Sequence, residues 1–102
     1  MDETDVAVVG GGVAGLTAAL FTARAGLDTL VLDGGGSILG RNAHLENYPG
    51  YPAGINPRTY LAMLDDQVRR AGVRRREARV RAVDPTDDGF VVACESDDAE
   101  PL

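Results

Sequence analysis

A run of glycines near the amino terminus, in VVGGGVAGLTAA, has a spacing that is typical of a ligand-binding turn. Gly10, Gly12 and Gly15 form the pattern Gly-x-Gly-x-x-Gly. In this pattern the first glycine allows a sharp turn off a strand, the second lets a pyrophosphate approach the backbone, and the third lets a helix lie close to the sheet. The N-terminus of that helix offers N–H groups and a positive dipole end to phosphates. The pattern predicts a dinucleotide-binding turn.

A carboxylate follows at the distance that such a site requires. Asp33 comes directly after the run DTLVL, 18 residues beyond Gly15. An acidic residue about 20 residues past the glycines accepts hydrogen bonds from the adenosine ribose, and its charge disfavours a 2′-phosphate. The sequence DGGG is also compatible with a tight surface turn that carries an exposed aspartate. Because Asp33 is in register with all three glycines, we favour the ribose-binding interpretation.

Three consecutive elements are needed to bring these residues together. DVAVV over 5–9 predicts a buried strand, a helical pattern runs over 13–25, and DTLVL over 28–32 predicts a second strand. The apolar residues at helical spacing are Val13, Leu16, Leu20 and Ala23. A strand, helix and strand within about 30 residues make a βαβ unit, whose crossover is expected to be right-handed.

A second helix and three more strands are predicted downstream. Asn56 is a suitable N-cap, Pro57 a suitable first helical residue, and Gly72 closes the helix. The apolar face of this helix comprises Tyr60, Leu61, Leu64, Val68 and Ala71. A weak strand over 73–77 and a hairpin of 80–84 with 89–95, joined by PTDDG, follow. These elements predict an α/β, Rossmann-like fold in which a parallel sheet has flanking helices and an antiparallel hairpin.

The segment HLENYPGYP over 44–52 discriminates between the dinucleotides, because the glycine pattern alone serves NAD and FAD equally. The glycine turn, the acidic strand end, ENYPGYP and the helix NPRTYLAMLDDQVRRAG together resemble the FAD-binding domain of the thioredoxin reductase family. The resemblance covers about residues 5–95. It implies that FAD lies across the sheet and that a nicotinamide domain is inserted further along the chain. We predict a domain over 1–95 and an acidic tail, or the start of a continuation, over 96–102.

The resemblance also implies roles for individual residues. The pyrophosphate would be held by Gly10, Gly12, Val13, Ala14 and Gly15. Asp33 and Gly34 would hold the adenosine, and Asn47 would place its amide beside the isoalloxazine ring and tune its electronics. Asn47 could instead simply form the turn before the Tyr-Pro-Gly sequence. Arg41 has the planar guanidinium that could bind the pyrophosphate bidentately.

Three features depart from the family's pattern. GGGSILGRNAH lacks the glutamine of the usual Gly-Gly-Gln element, so Ser37, Arg41 or Asn42 would have to replace its contacts. The redox Cys-x-x-Cys is absent, although it would normally lie in the inserted nicotinamide domain. The later strand and the Gly-Asp element that complete the flavin site are also missing. We therefore expect the N-terminal part of a flavoprotein.

The amino-acid composition indicates which kinds of partner and which cellular compartment to expect. The net charge is −6 and all ten basic residues are arginine, which favours a salt-adapted acidic surface and argues against nucleic acid as a partner. A GC-rich genome would also favour arginine over lysine. The apolar run after MDETD is short and broken by glycines, so neither a signal peptide nor a membrane span is expected. A cytoplasmic location follows.

The remaining reactive residues are weaker candidates. His44 has a pKa suited to acid–base work near a flavin, although a polar loop residue is the commoner role. Cys94, the single cysteine, is predicted to be buried and inert. Seven of the ten arginines lie from Arg69 to Arg81, and we interpret them as a solvated face paired with carboxylates. No residue is predicted to be catalytic or to bind a metal.

Three functions remain open from the sequence. The first is the FAD-binding part of an oxidoreductase resembling thioredoxin reductase, dimeric at full length. Its flavin would accept electrons from NAD(P)H, bound outside this chain, and pass them to an unidentified protein or small molecule. The second is a non-catalytic remnant that binds FAD or ADP, which the missing dithiol favours. The third is an NAD-binding Rossmann dehydrogenase domain, which explains the glycines and Asp33 but not ENYPGYP.

Overall fold

The computed structural model describes residues 3–34 and 56–95 of the 102-residue chain, and all structural statements below refer to these ranges. The predicted tail over 96–102 lies outside them, so the division of the chain at residue 95 stays a prediction. The elements, in chain order, are β1 (Val6–Val9), α1 (Val13–Arg24), β2 (Thr29–Asp33), α2 (Pro57–Arg70), β3 (Arg74–Glu77), β4 (Val80–Pro85) and β5 (Phe90–Cys94).

The first three strands form a parallel sheet in the spatial order β1-β2-β3. Val31 in the middle of β2 lies opposite Val8 of β1 on one side and Arg75 of β3 on the other. Because the three strands run in the same direction, their carboxyl ends meet at one edge of the sheet, where ligands bind in open α/β folds. The predicted α/β fold is confirmed.

The central strand β2 is covered on both faces. Neighbouring side chains of a strand point to opposite faces. Val31 therefore packs against the helices, in a cluster with Leu16, Leu20, Leu64 and Val68. Leu30 and Leu32 face the other way and pack with Ala78 and with the half-buried side chains of Val80, Val92 and Cys94. The near-continuous apolar run of β2 is typical of a strand covered on both faces.

Helix α2 begins as its sequence predicts, which sets the position of Asp65 further along it. The side-chain oxygen of Asn56 accepts hydrogen bonds from the N–H groups of Arg58 at 2.9 Å and Thr59 at 3.2 Å, and Pro57 is the first helical residue. Leu64 and Val68 are buried against α1, as predicted.

Within the described ranges, no helix is long and apolar enough to cross a membrane.

The predicted strands are confirmed, with boundary shifts that matter at the end of β2. This strand runs over Thr29–Asp33 and not over 28–32, because Asp33 pairs with Glu77 of β3. The carbonyl of Asp33 also accepts a hydrogen bond from the N–H of Ala78 at 3.0 Å. The antiparallel hairpin of β4 and β5 is present, and Cys94 is half-buried where full burial was predicted.

Candidate dinucleotide-binding site

The glycine segment forms a sharp turn between β1 and α1. Gly10 has φ of +111°, a conformation that residues with a side chain rarely adopt. Its N–H donates to the carbonyl of Leu32 at 2.8 Å, which ties the turn to the neighbouring strand β2. Gly12 is the N-cap of α1, and its carbonyl accepts the hydrogen bond from Leu16 at 2.9 Å that opens the helix. The predicted turn is therefore formed.

Helix α1 lies close to the turn because Gly15 has no side chain. A Cβ atom added to Gly15 would overlap the carbonyl oxygen of Gly10 and would stand 3.2 Å from Cγ1 of Val8. The first of these atoms belongs to the backbone, so a side chain at residue 15 would push the helix away from β1. This close approach is the task that the sequence pattern assigns to its third glycine.

Gly11 provides a contact that the sequence reasoning missed. The residue is buried, and a Cβ atom added to it would overlap the carboxylate of Asp33. The same added atom would lie 3.0 Å from Nη2 of Arg75. The only signal in the sequence is that three glycines stand in a row where the pattern needs two. The carboxylate of Asp33 therefore lies directly against the backbone of the turn.

The first turn of α1 carries no negative side chain that would compete with a bound anion. In a helix the first N–H groups have no acceptor within the helix, and the dipole makes this end positive. Gly12 has no side chain with which to cap them, and the first turn contains no acidic residue. Five of the residues predicted to hold a pyrophosphate lie in the glycine turn and at this helix start: Gly10, Gly12, Val13, Ala14 and Gly15.

Asp33 is the inner end of a network of alternating charges. Its Oδ2 accepts a hydrogen bond from Nη2 of Arg75, and Nη1 of the same guanidinium donates to Oδ1 of Asp65 on α2. The other oxygen of Asp65 lies 2.7 Å from Nη2 of Arg69. The side chains of Asp33 and Asp65 are only 20% and 18% exposed, so water screens these ion pairs less than typical surface pairs.

The guanidinium of Arg75 keeps its charge in this setting. Partial burial by itself lowers the pKa of Arg75, but the hydrogen bond to Asp33 and the negative charge of Asp65 outweigh burial and raise the pKa above its usual value. Because the pKa of Arg75 is raised, the stability that its ion pairs give to the folded chain is present throughout the working pH range. It is lost only when the pH rises through that pKa. The guanidinium of Arg75, on β3, is therefore always charged where it meets Asp33 at the end of β2.

A cavity of about 460 Å³ lies beside this network. Its lining residues are Asp33, Arg69, Val73, Arg75 and Glu77. Small-molecule sites are typically about 300–1,000 Å³, so the space suits one part of a larger ligand. Charged groups of both signs line it, so it favours a group rich in hydroxyls over an apolar one.

The structure brings together seven of the predicted site residues. Gly34 follows Asp33 at the edge of the sheet, and an added Cβ there would stand 3.6 Å from the carbonyl oxygen of Ala78, an ordinary contact distance. Arg41 and Asn47 lie outside the described residues, as do the weaker candidates Ser37, Asn42 and His44. Their predicted roles at the pyrophosphate and the flavin ring stay predictions.

The arginine cluster is mostly the solvated face that its composition predicted. Arg70 pairs with Asp66 at 2.9 Å and Arg74 pairs with Asp28 at 3.3 Å, both on the exposed surface. Arg75 differs from these neighbours because its guanidinium reaches the candidate site. Nothing in the run RRRE of β3 distinguishes one arginine from the next, so the sequence could not single it out.

Comparisons with known proteins agree with this fold. The family model described as an NAD(P)-binding Rossmann-like domain matches residues 8–88. The thioredoxin reductase of Aquifex aeolicus is 39% identical over 82% of this chain and 27% of its own length. The thioredoxin reductase structure from Lactococcus lactis superposes with a TM-score of 0.86 at 32% identity, over 93% of this chain and 32% of that one. The structure from Gloeobacter violaceus gives a TM-score of 0.83 at 35% identity, over 89% of this chain and 29% of that one.

The matches are consistent with each other but cover only part of each relative. The chain spans about 27% of the Aquifex aeolicus protein and 32% of the Lactococcus lactis structure. The similarity runs through the glycine turn and both ends of β2, since the family model begins at residue 8 and extends to residue 88. The chain belongs to the NAD(P)-binding Rossmann-like family, as a thioredoxin reductase-like dinucleotide-binding domain.

Proposed function

We propose that the glycine turn, the N-terminus of α1 and Asp33 hold the adenosine diphosphate part of FAD. The observation that carries this proposal is the close approach of Asp33 to Gly11, where an added Cβ would overlap the carboxylate. A ribose bound by this carboxylate would have its attached pyrophosphate within reach of the helix N-terminus. Both halves of an adenosine diphosphate group could then be bound at once.

Each residue has a distinct part in this proposal. The N–H groups at the start of α1, from Gly12 to Gly15, would bind the pyrophosphate oxygens. The carboxylate of Asp33 would accept hydrogen bonds from the ribose hydroxyls, and Gly34 would let the adenosine lie against the backbone. Arg41 and Asn47 are proposed at the pyrophosphate and the isoalloxazine ring, on the strength of the sequence alone.

The whole protein is proposed to be a cytoplasmic oxidoreductase that resembles thioredoxin reductase, dimeric at full length. Bound FAD would supply the transfer of electrons from NAD(P)H to an acceptor that the sequence does not identify. The residues of this chain would bind and orient the cofactor, and none is assigned a proton transfer. NAD(P)H would bind outside this chain.

The choice of FAD over a nicotinamide dinucleotide at this site rests on two features. The carboxylate of Asp33 disfavours the 2′-phosphate of NADP. NAD is compatible with Asp33, but a simple NAD-binding domain gives no account of the ENYPGYP segment, which resembles flavin-binding relatives. A remnant that binds nucleotide without catalysis would share the same adenosine site, so binding alone does not separate it from the oxidoreductase.

Binding of a set of nucleotides to the purified chain tests the proposed site. We expect FAD and ADP to bind with similar affinity in calorimetric titrations, and NADP to bind at least about tenfold more weakly because of its 2′-phosphate. Gly12→Val should weaken FAD and ADP binding by at least about tenfold, because its side chain would occupy the position of the pyrophosphate. Ala18→Val adds similar bulk to the exposed face of the same helix and should leave binding unchanged.

Two results would contradict the proposal. If neither FAD nor ADP binds, the glycine turn is not a dinucleotide site in this chain. If NAD binds well and FAD does not, the chain is the NAD-binding domain that the glycines and Asp33 alone would permit.

An assay of the full-length protein distinguishes a reductase from a non-catalytic remnant, because only a reductase oxidises NAD(P)H when an acceptor is supplied.

A further inference from the structure

Arg75 lies beside the candidate site, and the proposed function gives it no role. Its guanidinium bridges Asp33 on β2 and Asp65 on α2, and about a third of the side chain is exposed. The two carboxylates are far apart in sequence, and only the pairing of β2 with β3 puts an arginine between them. Such a bridge fixes the position of all three side chains.

The bridge controls the one carboxylate that the ribose would need. Nη2 of Arg75 donates to Oδ2 of Asp33, and the planar guanidinium fixes the direction in which that oxygen can lie. The outer nitrogen, Nη1, is held by Asp65, which Arg69 holds in turn. Arg75 is therefore anchored from the side away from the turn and cannot swing freely.

The backbone of the turn restricts the same carboxylate from its other side. A Cβ atom on Gly11 would overlap the carboxylate of Asp33, and it would lie 3.0 Å from Nη2 of Arg75. Asp33 thus sits between the turn and the guanidinium. A carboxylate that is already oriented loses less conformational entropy when a ligand binds.

We propose that Arg75 is a positioning residue for the adenosine ribose, acting through Asp33, with Asp65 as its anchor on α2. This inference rests on the proposed function, since it assumes that Asp33 accepts hydrogen bonds from the ribose. Arg75 lines the cavity, but the proposal gives it no hydrogen bond to the ligand. It raises affinity and selectivity for the ribose hydroxyls by holding the acceptor in place.

The test uses the purified chain with ADP and 2′-deoxy-ADP as probes. In the unmodified chain, ADP should bind about tenfold more tightly than 2′-deoxy-ADP, because a hydrogen bond to a charged group is lost with the hydroxyl. Arg75→Gln should weaken ADP binding about tenfold and reduce the preference for ADP to less than about threefold. A general loss of structure would weaken both probes equally and keep their ratio, so the ratio reports on positioning.

Arg74→Gln is the matched control. Arg74 is the preceding residue of β3, and it also pairs with an aspartate, but Asp28 precedes β2 at the opposite edge of the sheet. This substitution removes the same charge and a comparable ion pair. We expect it to leave the affinity for ADP and the preference over 2′-deoxy-ADP within about twofold of the unmodified values.

A double-mutant cycle separates positioning from direct contact. If Arg75 acts through Asp33, then Arg75→Gln in an Asp33→Asn background should cost no further affinity for ADP. An equal loss in both backgrounds would mean that Arg75 contacts the nucleotide itself and would overturn the inference. Tighter binding of ADP by Arg75→Gln would also overturn it, because Arg75 would then be competing with the ribose for Asp33.

Asp65→Asn gives a second route if Arg75→Gln does not fold. It leaves Arg75 in place but weakens its outer anchor, so we expect the preference for ADP over 2′-deoxy-ADP to fall, but by less than in Arg75→Gln. Unchanged probe ratios in both folded variants would refute the positioning role. If the unmodified chain binds no ADP at all, the proposed function fails first, and this result is distinct from ADP binding that ignores Arg75.

Discussion

At the scale of single residues, the site depends on how closely side chains approach the backbone of the turn. Gly11 and Gly15 both exclude a Cβ atom, but for different reasons. At Gly11 the obstacle is the end of a side chain, the carboxylate of Asp33. At Gly15 the obstacle is the carbonyl oxygen of Gly10, which can move only if the backbone moves with it. Gly11 therefore preserves the position of the Asp33 carboxylate, whereas Gly15 preserves the packing of the fold.

Gly11→Ala should damage binding more than stability. The added methyl group displaces the carboxylate of Asp33 and disturbs its ion pair with Arg75, while the backbone can stay in place. We expect ADP affinity to fall about tenfold in calorimetric titrations, the loss of one charge-assisted hydrogen bond. The melting temperature should fall by only a few degrees. A large loss of stability with unchanged ADP affinity would contradict this account of Gly11.

At the scale of elements, the position of α1 on the sheet is set by the missing side chain of residue 15. The helix is held by Leu16, Ala19 and Leu20, all buried against β2 and α2. Its first turn must also pass over Gly10, so the N-terminal N–H groups end where an anion can reach them. Packing of the apolar face and access to the N-terminus are therefore coupled through one contact.

Gly15→Ala should lower stability although alanine is the better helix former. The methyl group would overlap the carbonyl oxygen of Gly10, and overpacking of this kind costs about 1–3 kcal/mol. The gain in helix propensity is at most about 1 kcal/mol. We expect a net loss of about 1 kcal/mol in the free energy of unfolding, measured by denaturant unfolding followed by circular dichroism.

Ala18→Gly on the exposed face of α1 is the control for this substitution. It should destabilise by about 1 kcal/mol through propensity alone, which would show that alanine is favoured elsewhere in the helix. If Gly15→Ala stabilises the chain by a similar amount, the close approach of α1 to β1 is not a constraint on the fold.

At the scale of the whole molecule, three layers converge on one edge of the sheet. The helices cover one face of β2 and the hairpin covers the other. At the carboxyl end of the sheet, Asp33 of β2 meets Arg75 of β3 and lies against the glycine turn that follows β1. Large apolar side chains remain exposed on the hairpin, including Phe90 at 72% and Val83 at 50%. Ligand binding at the edge would link the turn, β2 and β3.

ADP should therefore stabilise the whole chain and not only the turn. A ligand that binds only the folded state at 100 times its dissociation constant adds about 2.7 kcal/mol. For a domain of this size we expect the melting temperature to rise by about 10 °C or more, and to depend on ADP concentration. The Gly12→Val variant, whose ADP affinity is expected to be at least about tenfold lower, should show at most about half of this rise at the same ADP concentration. A melting temperature that ignores ADP would argue against a site shared by several elements.

Local chemistry explains why so much could be predicted from the sequence. The N-cap at Asn56, the first-turn proline and the glycine that ends α2 act within a few residues of themselves. The apolar run of β2 and the spacing of Gly10, Gly12 and Gly15 are likewise patterns within one unit. These features determined the order of the elements, the parallel sheet and the place of Asp33 at its edge.

Only the tertiary structure decided which arginine meets that aspartate. Arg75 and Asp33 are 42 residues apart, and each residue of the strand Arg74–Glu77 is charged and exposed, so no alternation in the sequence indicates the face. The register of β2 with β3 and the position of Asp65 on α2 selected Arg75. The sequence by itself determined the turn and its carboxylate, whereas long-range packing decided how that carboxylate is held.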